Sequence, residues 1–116
     1  MGADASRAKA RRLDRALKEQ HGHCYYCRCK LVRAADCDPL ALNHQPAERA
    51  TEDHKMPKSR GGTNAAPNTV AACVTCNRKK DDMTDVEFRK RRSRWLERRR
   101  ACYDDDGNRI WSRTWE

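Results

Sequence analysis

The chain has 116 residues, 37% of them apolar, and its 26 lysines and arginines against 17 aspartates and glutamates give a formal net charge of +9. That length accommodates one domain, residues 1–116, with a modest core that needs a staple, and no segment reaches the ~20 apolar residues of a membrane span. The basic balance attracts polyanions, nucleic acid being the commonest in the cytoplasm, although charge alone does not separate DNA from RNA or anionic lipid.

Residues 5–20 read as a basic helix with a thin apolar stripe of Leu13, Ala16 and Leu17, and Gly22 is positioned to stop it. Residues 24–30 form a tight knuckle, and 31–50, with Pro39 and Pro46, an irregular insertion. Short strands are expected at 50–54 and 69–72, joined by a long loop containing Gly61-Gly62 and Pro67, with a helix starting near Thr75. Thr84-x-x-Glu87 fits a capping box with Met83 and Phe88 as its staple. The helix it opens is expected to run over 84–102, with Phe88, Trp95 and Cys102 a heptad apart and a dense arginine surface. A turn at 104–108 then returns Ile110, Trp111 and Trp115 to the body; it resembles a calcium loop, but Arg109 stands where such a loop needs glycine.

Seven cysteines supply the staple. Their odd number, the absence of an apolar leader at the start, and the pairing of four as Cys24/Cys27 and Cys73/Cys76 favour a reduced, cytoplasmic setting and zinc over disulfides. Each Cys-x-x-Cys knuckle offers two thiolates from one turn, and two knuckles close a tetrahedral site that excludes water, the mark of a structural ion. Residues 28–72 lie between the pairs, room for a β-hairpin whose ends the ion would tie. Cys29, Cys37 and Cys102 are expected to be free thiols.

The run from Asp53-His54 through Pro57, Ser59 and Gly61-Gly62, followed by Asn68 and then by Cys73-x-x-Cys76-Asn77-x-x-Lys80, resembles the HNH endonuclease family. With the first knuckle the resemblance covers residues 24–84. It implies an α+β fold, a small ββα-metal core flanked by the basic N- and C-terminal helices. His54 would take a proton from water, Asp53 and Asn77 would hold a catalytic Mg²⁺ or Mn²⁺ through oxygen, and Asn68 would fix the loop that orients His54. The chemistry is consistent. An imidazole with an ordinary pKa near ~6.5 suits a base at neutral pH, and a carboxylate with an amide oxygen is a hard ligand pair. The sequence departs from the family in having Asn77 in place of histidine, Arg28 where glycine is usual, and the 31–50 insertion.

The implied activity is a metal-dependent DNA endonuclease or nickase, acting as monomer or homodimer, with or without a larger phage or restriction partner. The DNA backbone would be held by Lys80 and Arg78 on one helix and by Arg89, Arg92 and Arg99 on the next. The competing reading is a non-catalytic, zinc-stabilised nucleic-acid-binding or interaction module. It would need the clamp and the basic helices but has no use for His54, Asp53 and Asn77 together.

Overall fold

The computed structural model describes residues 2–36 and 46–110. Its centre is an antiparallel hairpin of β1 (Ala50–His54) and β2 (Thr69–Cys73), in register from Ala50 opposite Cys73 to His54 opposite Thr69. Helix α1 (Gly2–Glu19) precedes the hairpin, and α2 (Val74–Lys80) leaves β2 directly. Strand alternation assigns the faces. Glu52 on β1 pairs with Arg12 of α1, whereas Thr51 and Asp53 meet Asn77 and Lys80 of α2. The two helices therefore cover opposite faces of one hairpin.

Every residue of β2, Thr-Val-Ala-Ala-Cys, is buried. Its outer edge is closed by a side chain: the Gln20 amide donates to the Ala71 carbonyl and accepts from the Ala71 N–H, both at 2.9 Å. Tyr25 adds a backbone bond to that same carbonyl, so the strand presents no free template for pairing. Gly22, at φ +78°, ends α1 by donating to the Leu17 carbonyl at 2.8 Å, with Ala16 and Leu17 buried beneath. The loop between the strands turns at Gly61, φ +95°. It then needs Gly62 without a side chain, because a Cβ there would collide with the Met56 carbonyl.

The arginine-rich segment forms two helices, α3 (Asp85–Arg91) and α4 (Ser93–Arg100), where the sequence suggested one. The capping box at Thr84 and Glu87 is present with both reciprocal bonds. The break falls at Arg92 (φ −115°, ψ 27°) and re-aims α4. Phe88 is fully buried, but Leu96 and Arg99 rather than Trp95 continue the inward stripe, and Cys102 is buried beyond them. The chain then folds back through a tight turn in which Gly107, φ +83°, packs on the Lys30 amide; Ile110 remains half exposed instead of returning to the core. Cys37, Trp111 and Trp115 lie outside the described residues. Among the described residues no helix is long and apolar enough to cross a membrane.

Candidate active site and metal centre

The apolar core is built largely of small residues and cysteines, the thiol cluster among them. The first knuckle turns at 24–27, and Cys73, the last residue of β2, is also the N-cap of α2, which places Cys76 one turn on. The sulfurs of Cys24, Cys27, Cys73 and Cys76 all lie within 4.8 Å of one another and are buried. Cys27 and Cys73 stand 3.7 Å apart. A zinc tetrahedron with Zn–S near ~2.3 Å has edges of about 3.8 Å, so these four residues fit a zinc ion and can hold one.

Amides converge on the same sulfurs. Cys24 Sγ accepts from the Tyr26 and Cys73 N–H groups at 3.4 Å, and Cys73 Sγ from the Cys76 N–H at 3.3 Å. Hydrogen bonds from Cys24 and then Cys27 pull the Cys73 thiol down, while those of Cys24 and Cys27 push Cys76 up, as expected of thiols sharing protons at close quarters. Arg28, where the family has glycine, keeps the left-handed backbone a glycine favours, φ +66°. Cys29 is buried beside the clamp but is not one of the four.

His54 ends β1 on the α1 face and borders an open cavity of about 470 Å³, shared with Lys9, Arg12, Glu52, Lys58 and Asn64. Its Nε2 lies 2.8 Å from the Asn64 side-chain oxygen. An amide oxygen only accepts, so Nε2 donates to it, and Nδ1 makes no hydrogen bond among the described residues. Asn68 ties the loop that carries Lys58 and Asn64. Its amide oxygen accepts from the Met56 N–H, and its amide nitrogen donates to the Met56 and Thr63 carbonyls. Glu52, two residues before His54, is held by Arg12 in a two-pronged contact at 2.6 and 3.2 Å. Burial works against its charge, but Arg12 outweighs it, and the Glu52 carboxyl stays below its ordinary value.

Asp53 and Asn77, expected to share one site with His54, are not among the residues lining this cavity. The pleat sends Asp53 to the opposite face, where it is 4% exposed. One of its oxygens accepts from the Tyr26 hydroxyl at 2.6 Å and the other faces the Lys80 ammonium at 3.3 Å. Burial raises the Asp53 pKa more than the Tyr26 hydrogen bond and the Lys80 charge lower it. Asn77 donates to the Thr51 hydroxyl and the Glu52 carbonyl. A catalytic cation needs an open hard-oxygen site beside the reacting phosphate. These residues, closed over by a tyrosine and a lysine, do not fit one as they are arranged.

Two of the residues expected to contact DNA are buried. Lys80 is 1% exposed and donates to the His54 carbonyl at 2.9 Å, so it locks α2 to β1 instead of reaching a phosphate. Arg99, equally buried, has its guanidinium 3.5 Å from Cys73 Sγ. Burial alone would lower its pKa, but the Cys73 thiolate holds it above the usual value. Four thiolates around one divalent ion would leave surplus negative charge in the core, which Arg99 is placed to offset. Arg89 lies over the Tyr25 ring and donates to the Tyr25 carbonyl, bracing the knuckle, while Arg78 and Arg92 are exposed.

The sequence reading missed Arg12, Glu52 and Asn64. Glu52 was recoverable, since a strand ending at His54 puts residue 52 on the same face. Arg12 lies 40 positions from its partner, and no local pattern marks the pair. The family model for HNH endonuclease matches residues 42–93, taking in both strands, the loop between them, the second knuckle and α2 and α3. No curated protein matches the chain. The motif, the hairpin-and-helix fold and this match agree in likening residues 42–93 of the chain to an HNH endonuclease domain.

Proposed function

We propose that the chain, acting as one domain over residues 1–116, is a DNA endonuclease or nickase in which His54 is the general base. The family supports nuclease activity on nucleic acid in general; the assignment to His54 rests on one observation. Its imidazole borders an open cavity flanked by Lys9, Arg12 and Lys58, with its proton committed to Asn64 and Nδ1 left free.

A phosphodiester entering there meets three cationic groups that draw charge from the phosphoryl oxygens. His54 Nδ1 removes a proton from water, the hydroxide attacks phosphorus, and the 3′-oxygen leaves as an alkoxide that takes a proton from solvent. Glu52 keeps Arg12 extended along the cavity wall. The exposed Arg78 adds a phosphate contact that positions DNA without reading its sequence. The family's divalent cation, Mg²⁺ or Mn²⁺ on the hardness of the expected ligands, is given no step, because Asp53 is committed to Lys80 and Tyr26. The four thiols take the zinc, which supplies scaffold and not chemistry.

The sequestered Asp53 favours a second reading, a zinc-stapled module that binds nucleic acid without cutting it. A plasmid assay separates the two. The zinc-loaded protein, with Mg²⁺ or Mn²⁺ supplied, should nick supercoiled DNA, and His54→Ala should lower the rate by about 10²–10⁴-fold with zinc content and circular dichroism unchanged. Equal rates for the two proteins, or none from either, would leave the binding module.

A further inference from the structure

We propose that the cleft between α2 and the α3–α4 break is a second nucleic-acid site, one that grips the phosphate backbone of a DNA segment other than the segment at His54. The cleft has a volume of about 390 Å³ and is lined by Lys79 from α2 and by Arg91, Arg92, Arg94, Trp95 and Arg98 around the break. Among the described residues no carboxylate lines it. One of its cations, Arg91, pairs with Glu87 at 3.5 Å, and Glu87 is also bound by Arg60. Five cations gathered around one concavity repel one another, and a polyanion relieves that repulsion.

Two further features suit a phosphate chain. Helix α4 begins at Ser93, on the cleft wall, without a side-chain cap, so the positive end of its dipole adds to the field. Half-buried Trp95 supplies a rigid wall, with the Lys79 ammonium 5.7 Å from its ring centroid.

The place of this cleft in the fold makes it separate. The His54 cavity is bounded by α1, β1 and the loop after it, whereas the cleft is bounded by α2, α3 and α4, and the two share no residue. The hairpin lies between α1 and α2. A straight duplex seated at His54 therefore runs along the α1 side, which leaves the cleft for a second segment. The inference rests on nucleic acid being the substrate but not on cleavage, so binding tests it directly.

The His54→Ala protein, zinc-loaded and mixed with a short fluorescent duplex at physiological ionic strength, should bind two duplexes per chain by analytical ultracentrifugation. In that background Arg94→Glu with Arg98→Glu, both exposed and outside the core, should bind one. The salt dependence of total binding should fall by about two phosphate contacts, with zinc content unchanged. Two duplexes still bound by the variant would overturn the proposal. So would one duplex bound by the parent, whether or not the variant weakens it, since a single segment would then serve the whole surface. Failure of the plasmid assay alone would remove the nuclease assignment and leave this site standing.

Discussion

The thiol clamp and the His54 cavity are built on one hairpin and behave as opposites. At the clamp, four sulfurs, several amides and a buried guanidinium converge in a space closed to water. At His54, an imidazole, three cations and a carboxylate surround an open hollow. The difference lies in how each is specified. The clamp's ligands come in pairs one turn apart, so each half is fixed by local backbone geometry. The cavity is assembled from α1, β1 and a distant loop, and its membership depends on which way the strand pleats.

Mutation should separate the two regions most widely at the clamp. Structural zinc contributes about 10–16 kcal/mol of apparent binding free energy, as much as or more than the ~5–15 kcal/mol by which a domain is usually stable. Cys73→Ser, whose hydroxyl can still cap α2, should nonetheless cost the protein its zinc and its fold together, read as metal content and far-ultraviolet circular dichroism. A folded, zinc-free Cys73→Ser protein would mean that the apolar core suffices alone. Nothing on the cavity side should approach this effect; His54→Ala should leave the fold intact.

Lys80→Met probes the same contrast from the other face of β1. If Lys80 is the fixed counter-charge of Asp53, its loss leaves a carboxylate buried without its cation, a change that typically costs about 3–5 kcal/mol. Urea unfolding of the zinc-loaded protein should show that loss, and Asp53→Asn added to Lys80→Met should recover much of it, because neighbouring sites do not add. The opposite result is also informative. A stable Lys80→Met protein with new Mn²⁺ affinity would make Asp53 a cation ligand from which Lys80 had been shielding the ion.

Legibility in the sequence divides along the same line. Both knuckles, both strands, the stop at Gly22 and the Thr84–Glu87 box are local patterns, and each stands in the structure where its pattern put it. The arginines of 89–100 misled because a basic helix surface looks alike whether it faces solvent, DNA or a thiolate cluster. Arg99 turns inward onto Cys73 Sγ of the cysteine cluster. The helix break at Arg92 was invisible for a related reason: no glycine or proline marks it, and what it achieves is the burial of Leu96 and Arg99 against a partner distant in the chain. The separation of Asp53 from His54 was within reach, since adjacent strand residues point to opposite faces. The family motif, which names them together, obscured it.

The smallest expected effect returns to the clamp and tests how far it dictates its surroundings. Arg28 holds φ +66° immediately after the first knuckle, with its N–H on the Cys24 carbonyl at 3.1 Å. A side chain in that left-handed conformation costs about 1–2 kcal/mol. The turn keeps it because both flanking segments are fixed, by the sulfur cluster before it and by the Lys30–Gly107 contact after it. The side chain itself is exposed, so its removal forfeits no packing. Arg28→Gly relieves the strain but frees the unfolded chain, which takes back part of the gain. A net stabilisation of about 1 kcal/mol should remain, read as a higher urea midpoint and, because folding and metal binding are coupled, as about fivefold tighter zinc. A lower midpoint would show instead that Arg28 contributes a contact worth more than the strain, and that the clamp is less sufficient on its own than its geometry implies.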